Sequence, residues 1–119
     1  MTEARKETLA DLLCDSPMPL IRRRRVVGER MMISEVFLER GFFVASHQHE
    51  NEQMVVMLSG RCLFTLGAEG TPAHREVVVH GGDVLVLPEN VPHSCRALED
   101  TRILDLFSPV SEKTGIDRR

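Results

Sequence analysis

The 119-residue sequence predicts an all-β protein, either a sandwich or a barrel. Short runs of β-branched and apolar residues recur along the chain, and Gly, Pro, Asn or Asp bounds each run. The spacing of these runs is typical of sandwiches and barrels, and the length suits one domain with its own core. The predicted strands cover residues 20–27, 31–38, 42–47, 53–58, 61–66, 75–80, 83–87, 93–98 and 101–107.

The chain divides into three segments by composition. Residues 2–14 are the best helix candidate, because Leu9, Leu12 and Leu13 fall on one side. A stretch with two prolines, residues 15–19, ends that pattern. We therefore expect an N-terminal arm with a short helix (1–19), a β domain (20–108) and a polar C-terminal tail (109–119). The arm either lies on the barrel as a terminal helix or takes part in a dimer.

Four consecutive arginines, at positions 22–25, precede the second predicted strand. A basic run of this kind can bind phosphate or nucleic acid. In a strand, however, alternate arginines point to opposite faces, which divides the positive charge between them. We expect a solvated edge strand whose charges prevent pairing with another chain. The alternative is that one arginine faces inward and holds a substrate carboxylate.

Composition excludes several classes of function. A net charge of −3 and a pI near 5.9 do not indicate a nucleic-acid-binding protein, and the absence of Trp and Tyr removes most stacking platforms. The cysteines, Cys14, Cys62 and Cys95, are odd in number and scattered, which favours a reducing compartment. The sequence has no apolar run of membrane-spanning length and no signal-peptide pattern, so we expect a cytoplasmic protein without a membrane partner.

The segment from residue 41 to residue 60 carries the candidate metal ligands. His47 and His49 are two residues apart, so a strand would project both imidazoles from one face. Gln53 keeps that parity after a polar break and begins a run that we interpret as the partner strand of a hairpin. His93, on a third strand, supplies the remaining ligand. The sequence therefore predicts one mononuclear metal site.

The types of ligand indicate the chemistry of this site. Neutral imidazoles bind divalent first-row ions at about 2.0–2.1 Å, and three imidazoles with one oxygen leave positions open for water or substrate. Gln53 adds a neutral oxygen, so the ion would keep its full charge and favour polarisation of a substrate oxygen over redox cycling. Nickel, zinc, iron and manganese are the candidate ions. The alternative is a relic site with a hydrogen-bonded core glutamine.

Asp105 interrupts an apolar strand. Strand alternation places it on the same face as Ile103 and Phe107. Because burial of an unpaired carboxylate is costly, this acid must be paired, protonated or next to water in a cavity. A carboxyl group close to a metal and a substrate could act as a general acid or base. The alternative is a structural aspartate that hydrogen bonds to the backbone or to an arginine.

Two spaced motifs together resemble those of the cupin superfamily, over residues 31–107. The motifs are Gly41-x5-His47-x-His49-x3-Gln53-x6-Gly60 and Gly82-x5-Pro88-x-Asn90-x2-His93. The resemblance implies a double-stranded β-helix, or jelly-roll barrel. This chain departs from the family pattern in having Gln53 for a glutamate, Asn90 for a glycine and Ala97 for an asparagine. Asn90 still permits the left-handed backbone conformation that a turn requires.

Three segments resemble more narrowly the small cupins of the pectin-degradation type: residues 47–53, 88–93 and 104–109. Those proteins open 4,5-unsaturated uronates to linear keto sugars and use His, His, Gln and His at the metal. The resemblance implies a catalytic role for Asp105 and a substrate contact for Phe107, whereas the family's substrate-holding arginine is Ser111 here. It also implies a homodimer and isomerase- or lyase-type chemistry on a small sugar acid, within carbohydrate metabolism.

Two other functions are consistent with the same residues. A cupin dioxygenase would use a redox metal to activate oxygen, and anaerobic assays would abolish its activity. A non-catalytic sensor or binding module would hold a metal or small ligand without turning it over, and ligand binding without turnover would identify it.

Overall fold

The computed structural model describes residues 3–110, which form nine strands and one short 3-10 helix, Leu9–Asp11. The strands are β1 (Ile21–Val27), β2 (Met32–Leu38), β3 (Phe43–His47), β4 (Glu52–Ser59), β5 (Arg61–Leu66), β6 (Arg75–His80), β7 (Val84–Leu87), β8 (His93–Ala97) and β9 (Thr101–Ser108). In this part of the chain, no helix is long and apolar enough to cross a membrane.

The strands form two antiparallel sheets that enclose the core, so the predicted all-β jelly-roll fold is confirmed. The five-stranded sheet has the order β1-β2-β9-β4-β7, and the four-stranded sheet has the order β3-β8-β5-β6. Alternation within the strands produces the core. In β9, for example, Thr101, Ile103, Asp105 and Phe107 are buried and the residues between them are not. The inward apolar side chains include Val36, Phe42, Val55, Met57, Phe64, Leu87 and Ile103.

The predicted hairpin between the strands that end at His47 and begin near Gln53 is wrong. β3 pairs with β8 in the four-stranded sheet, whereas β4 lies between β9 and β7 in the five-stranded sheet. Both edges of β4 are therefore occupied by other strands, and the polar residues between β3 and β4 carry the chain from one sheet to the other. Ligands on these two strands consequently face each other across the barrel.

The short N-terminal helix is present, but only as the single 3-10 turn Leu9–Asp11 rather than over the predicted residues 2–14. None of its residues is buried, and Leu13 is 94% exposed. Without packing against the barrel, a helix this short is not stable in water. Of the predicted segments, Thr2 and residues 111–119, with Ser111, lie outside the described residues.

The arginine run forms β1, which lies at the edge of its sheet as predicted. The expectation that all four arginines are solvated is wrong for Arg23, which is only 3% exposed. Asp15 explains this difference, because it forms an isolated β-bridge with Arg23 and accepts hydrogen bonds from its guanidinium. The partner comes from the irregular N-terminal arm, so strand periodicity could not reveal it.

Candidate metal centre

Three imidazoles converge at one end of the barrel. His47 at the end of β3 pairs directly with His93 at the start of β8, and their ring centroids are 4.4 Å apart. His49 follows β3, with its ring centroid 6.0 Å from that of His47 and 5.1 Å from that of His93. One nitrogen from each ring lies within 4.8 Å of the others. Such a cluster can place three ligands around a single ion.

Backbone carbonyls fix which nitrogen of each ring is available. The Nδ1 atoms of His47, His49 and His93 lie 2.9, 3.0 and 2.9 Å from the carbonyl oxygens of Ala45, Asn51 and Val91. A carbonyl accepts but cannot donate, so each Nδ1 carries the hydrogen and each Nε2 carries the lone pair. Hydrogen bonds of this kind orient histidines that bind metals.

Burial keeps His93 neutral. Burial, with smaller contributions from the nearby imidazoles of His47 and His49, lowers the pKa of His93 to about 4, against the opposing effect of the hydrogen bond to the Val91 carbonyl. A neutral imidazole is the form that binds a metal ion. His49 and His93 are buried, whereas His47 is only half-buried. The cluster is therefore reached from solvent on the His47 side.

Gln53 reaches the cluster from β4, on the opposite sheet. Its Nε2 donates to Asp105 Oδ1 at 3.0 Å, which turns its Oε1 toward His49 Nε2 at 3.2 Å. Because Nδ1 of His49 carries the hydrogen, two lone-pair atoms then face each other. A cation between these atoms would satisfy both, so the three imidazoles and the amide oxygen fit a divalent ion.

Asp105 and Phe107 project into the same cavity from β9, as strand alternation predicts. Burial raises the pKa of Asp105 to about 7, against the opposing effects of the Gln53 hydrogen bond and the Arg23 charge. The ring of Phe107 packs edge-on to His49, with centroids 5.9 Å apart. The cavity volume is about 40 Å³, enough for an ion and very few water molecules, so a larger ligand reaches it from the opening.

Two features near the cavity escaped the sequence analysis. Asn51 is 1% exposed, holds His49 through its carbonyl oxygen and donates from its side chain to the carbonyl of Pro109. In the sequence it lies within a polar break, with no pattern to indicate burial. The apolar wall of the cavity was also missed, apart from Ile103 and Cys95, which share strand parity with Asp105 and His93. Its residues come from five different strands and the loop after β2: Val36, Leu38, Phe42, Val44, Phe64, Cys95 and Ile103. Asn90, in contrast, has the predicted left-handed conformation, with φ 59°.

A two-sheet β-barrel with a cluster of histidines at one end of its interior defines the cupin class. The model of the cupin domain family matches residues 34–107, and the chain belongs to this family. None of the curated proteins compared with the sequence matches it.

Solved structures similar to this chain are also cupins. KdgF from a Halomonas species is 28% identical with a TM-score of 0.76, and the match covers 87% of this chain and 94% of that one. An RmlC-like cupin from Shewanella frigidimarina is 18% identical with a TM-score of 0.77 and coverages of 93% and 96%. Oxalate decarboxylase from Bacillus subtilis is 22% identical with a TM-score of 0.82, but this chain spans only 32% of its length. The last two matches concern the fold alone.

Proposed function

We propose that this cupin binds one divalent transition metal ion through His47, His49, Gln53 and His93 and catalyses the ring opening of 4,5-unsaturated uronates to linear keto sugars. The observation that carries the proposal is the placement of the Gln53 side chain inside one cavity, where its Nε2 donates to Asp105 Oδ1 and its Oε1 faces His49 Nε2. It connects the candidate ligands to a single buried acid. The sequence resemblance to uronate-opening cupins and the 28% identity to KdgF over nearly its whole length support the same assignment.

The ion would act as a Lewis acid that polarises a ring or hydroxyl oxygen of the sugar, and the candidates are nickel, zinc, iron and manganese. Gln53 is a neutral ligand like the three imidazoles, so the ligand set preserves the positive charge at the centre. The same amide binds Asp105 through its other end. Gln53 thereby fixes the distance and orientation of the acid relative to the histidines.

Asp105 is the group that would move a proton. Its Oδ1 accepts from Gln53, so Oδ2 carries the proton when the carboxyl group is neutral. In the metal-free protein its pKa is raised to about 7, toward the range in which a carboxyl group can both donate and accept a proton near neutral pH. Phe107 adds an apolar surface beside His49 against which the carbon face of a sugar ring can pack.

The direct test is turnover of a 4,5-unsaturated galacturonate by metal-reconstituted protein. Loss of the conjugated absorbance and appearance of the linear keto sugar by NMR are expected, with equal rates in air and under argon. A reaction that requires oxygen would instead identify a dioxygenase. Tight binding of the uronate without product would identify a binding module and overturn the enzymatic proposal.

A further inference from the structure

β1 contains a buried arginine that faces the interior. Arg23 is 3% exposed, whereas Arg22, the next residue on the strand, is exposed on the outer face. In the register of the sheet, Arg23 lies opposite Val36, and Val36 lies opposite Ile103. Both Val36 and Ile103 line the cavity that contains the metal centre. Arg23 is therefore on the cavity face of the sheet, about 10 Å, or two strand spacings, from β9.

Arg25 occupies the neighbouring inward position. It lies opposite Ser34, which in turn lies opposite Asp105. The side chain of Arg25 is 29% exposed, so this row connects solvent with the buried acid. The charge of Arg23 also acts on Asp105, since it opposes the rise in the pKa of that carboxyl group. Arg23 thus brings positive charge to bear on Asp105, and Arg25 adds a second positive charge in the next inward row of the sheet.

Arg23 already binds a carboxylate, in the geometry that a ligand would require. Its Nε donates to Asp15 Oδ1 at 2.8 Å and its Nη2 donates to Asp15 Oδ2 at 3.1 Å. Arg25 Nη2 approaches Asp15 Oδ2 at 3.4 Å. A planar guanidinium that makes two parallel hydrogen bonds is the arrangement that recognises carboxylates most specifically.

Asp15 is attached much less firmly than Arg23. Its side chain is 47% exposed while that of Arg23 is 4% exposed, so the carboxylate can exchange with one from solvent although the guanidinium stays in place. The arm that carries Asp15 is joined to β1 by this isolated bridge and by hydrogen bonds from the Arg5 side chain to the Val27 carbonyl and from the Ser16 side chain to the Ile21 carbonyl, so the exchange concerns the Asp15 side chain and not the arm. Replacement of Asp15 by another carboxylate would preserve both hydrogen bonds of Arg23.

We propose that Arg23, with Arg25, is the site that binds the carboxylate of an acidic substrate, and that Asp15 occupies it until that substrate arrives. The inference rests on the proposed function for the identity of the ligand, a sugar acid. It adds a directional hydrogen-bonding contact for the acid, which the histidines and Gln53 cannot make because they are neutral and which is separate from the charge of the ion. It also makes the N-terminal arm a competitor of the substrate.

Binding of saturated sugar acids tests the site without turnover. The probes are D-galacturonate and its uncharged amide, titrated by calorimetry into metal-reconstituted protein. We expect the wild type to prefer the acid by about tenfold, as a charge-assisted hydrogen-bonded pair provides. Arg23→Gln should abolish this preference. Asp15→Asn should strengthen acid binding by about fivefold to tenfold and leave amide binding unchanged, because a competing carboxylate is removed.

Controls separate this role from that of a structural ion pair. Arg22→Gln removes a charge from the outer face of the same strand and should leave the preference unchanged. Arg23→Lys keeps the charge but loses the planar fork, so it should fold and lose most of the preference even if Arg23→Gln does not fold. A structural ion pair predicts a different result: Asp15→Asn and Arg23→Lys would lower the melting temperature and leave the ratio of acid to amide binding at its wild-type value.

The outcomes also separate this inference from the proposed function. The predicted pattern in galacturonate binding, without turnover of the unsaturated uronate, would support the carboxylate site and refute the ring-opening activity. Turnover with an unchanged KM in Arg23→Lys would support the activity and refute the site. Equal binding of acid and amide by the wild type would overturn the inference directly.

Discussion

At the residue scale, the amide of Gln53 is the group on which the centre depends. It donates to Asp105 and presents its oxygen to His49, so one side chain connects a candidate ligand to a candidate acid. A glutamate at this position would have no hydrogen to donate to Asp105. The choice of glutamine therefore affects two parts of the centre at once, the charge near the histidines and the hydrogen bonding of the acid.

Gln53→Glu should tighten metal binding and slow turnover at equal metal occupancy. The added negative charge attracts the cation but weakens it as a Lewis acid. The variant also places a second carboxylate next to Asp105, which should push the pKa of Asp105 above about 7. Metal competition assays and turnover against pH measure both effects. Faster turnover at equal occupancy would contradict this account of the neutral ligand.

His49→Ala should remove most of the bound metal. His49 is 7% exposed, its Nε2 lies beside Gln53 Oε1, and it is one of the three clustered imidazoles, so its loss removes a ligand from the interior of the centre. The metal content of reconstituted protein, measured by elemental analysis, should fall from about one ion per chain, which is the value expected for a mononuclear site. His74→Ala is the control, because His74 is an exposed residue near the loop after β5 and should retain the full metal content. Equal metal content in the two variants would rule out the site.

Asp105→Asn should abolish proton transfer and leave the metal content unchanged. An amide keeps the shape of the carboxyl group and accepts the Gln53 hydrogen bond, but it cannot exchange a proton at neutral pH. Single-turnover rates should fall by about 10²–10⁴-fold. Full activity in a folded, metal-loaded variant would exclude the catalytic role.

The same substitution has a signature in stability that depends on pH. The pKa of Asp105 is raised from 3.8 to about 7, so the folded state holds the proton more tightly than the unfolded state does. The contribution of Asp105 to the stability of the wild type should be fully present below about pH 4 and should be lost as the pH rises through about 7. Asp105→Asn has no carboxyl group to ionise and does not lose stability in this way, so the variant should be more stable than the wild type at pH 8. Melting curves of metal-free protein provide the measurement, since a bound cation would favour the ionised carboxylate.

At the scale of the elements, the turn between β4 and β5 is set by Gly60. Its φ is 91°, in the left-handed region, and a Cβ there would lie 2.3 Å from Thr101 Oγ1 and 2.5 Å from the carbonyl oxygen of Asp100. The turn therefore lies directly against the start of β9, which carries Asp105 and Phe107. Only a residue without a side chain permits this approach.

Gly60→Ala should consequently destabilise the protein much more than Gly70→Ala. Gly70 has a similar φ of 81°, but a Cβ there has no neighbour within 4 Å. Gly70→Ala should cost about 1–2 kcal/mol for the left-handed backbone alone. Gly60→Ala adds a backbone clash and should lower the free energy of unfolding by more, as measured with urea. Equal losses for the two variants would show that the contact with β9 does not matter.

At the scale of the whole molecule, the two sheets differ in their outer faces. The five-stranded sheet carries a continuous apolar row across all five strands, formed by Val26, Ile33, Leu106, Met54 and Val86. The buried Glu35 lies on the same face. Burial alone would raise the pKa of the Glu35 carboxyl group, but hydrogen bonds from Arg102 and Arg24 lower it. The negative charge of Glu35 is therefore paired with these two arginines. The outer face of the four-stranded sheet includes Arg96, Thr65 and Glu76 and is more polar.

We propose that this apolar face is the interface of a homodimer. Five strands at about 4.8 Å and about 20 Å of strand length present roughly 500 Å² in projection, and accessible area exceeds projection. That approaches the ~800 Å² that each partner buries in a standard interface. Burial of the face would leave the charge of Glu35 paired, because two arginines hold it.

Val86→Glu should therefore convert the dimer to a monomer in light scattering. Val86 is 49% exposed on this face, and a buried unpaired carboxylate would disfavour association. Val78→Glu is the matched control, since Val78 is 42% exposed on the outer face of the other sheet. The control should remain a dimer. A monomeric wild type, or dissociation by both variants alike, would refute this interface.

The sequence alone determined the strands and the direction of their side chains. Alternation is a local property, so it placed Asp105 and Phe107 on the inner face of β9. It also predicted that the imidazoles of His47 and His49 project to the same side. The spacing of the two motifs identified the histidines that the fold brings together. Asn90 stands where the cupin motif has a glycine, and the sequence indicated that it permits the left-handed conformation it adopts.

Only the tertiary structure decided which strands are neighbours and which polar groups are partnered. Whether β4 pairs with β3 or with β7 and β9 depends on contacts between distant segments, which all the inward faces must satisfy at once. The burial of Arg23 depends on Asp15, which reaches it from an arm without periodic structure. The apolar outer face likewise appears only when five strands align, because each contributes just one or two residues to it. A periodic pattern specifies which side chains of a strand point to each face of its sheet. The partners of those side chains across the barrel are selected by the free energy of packing the whole chain.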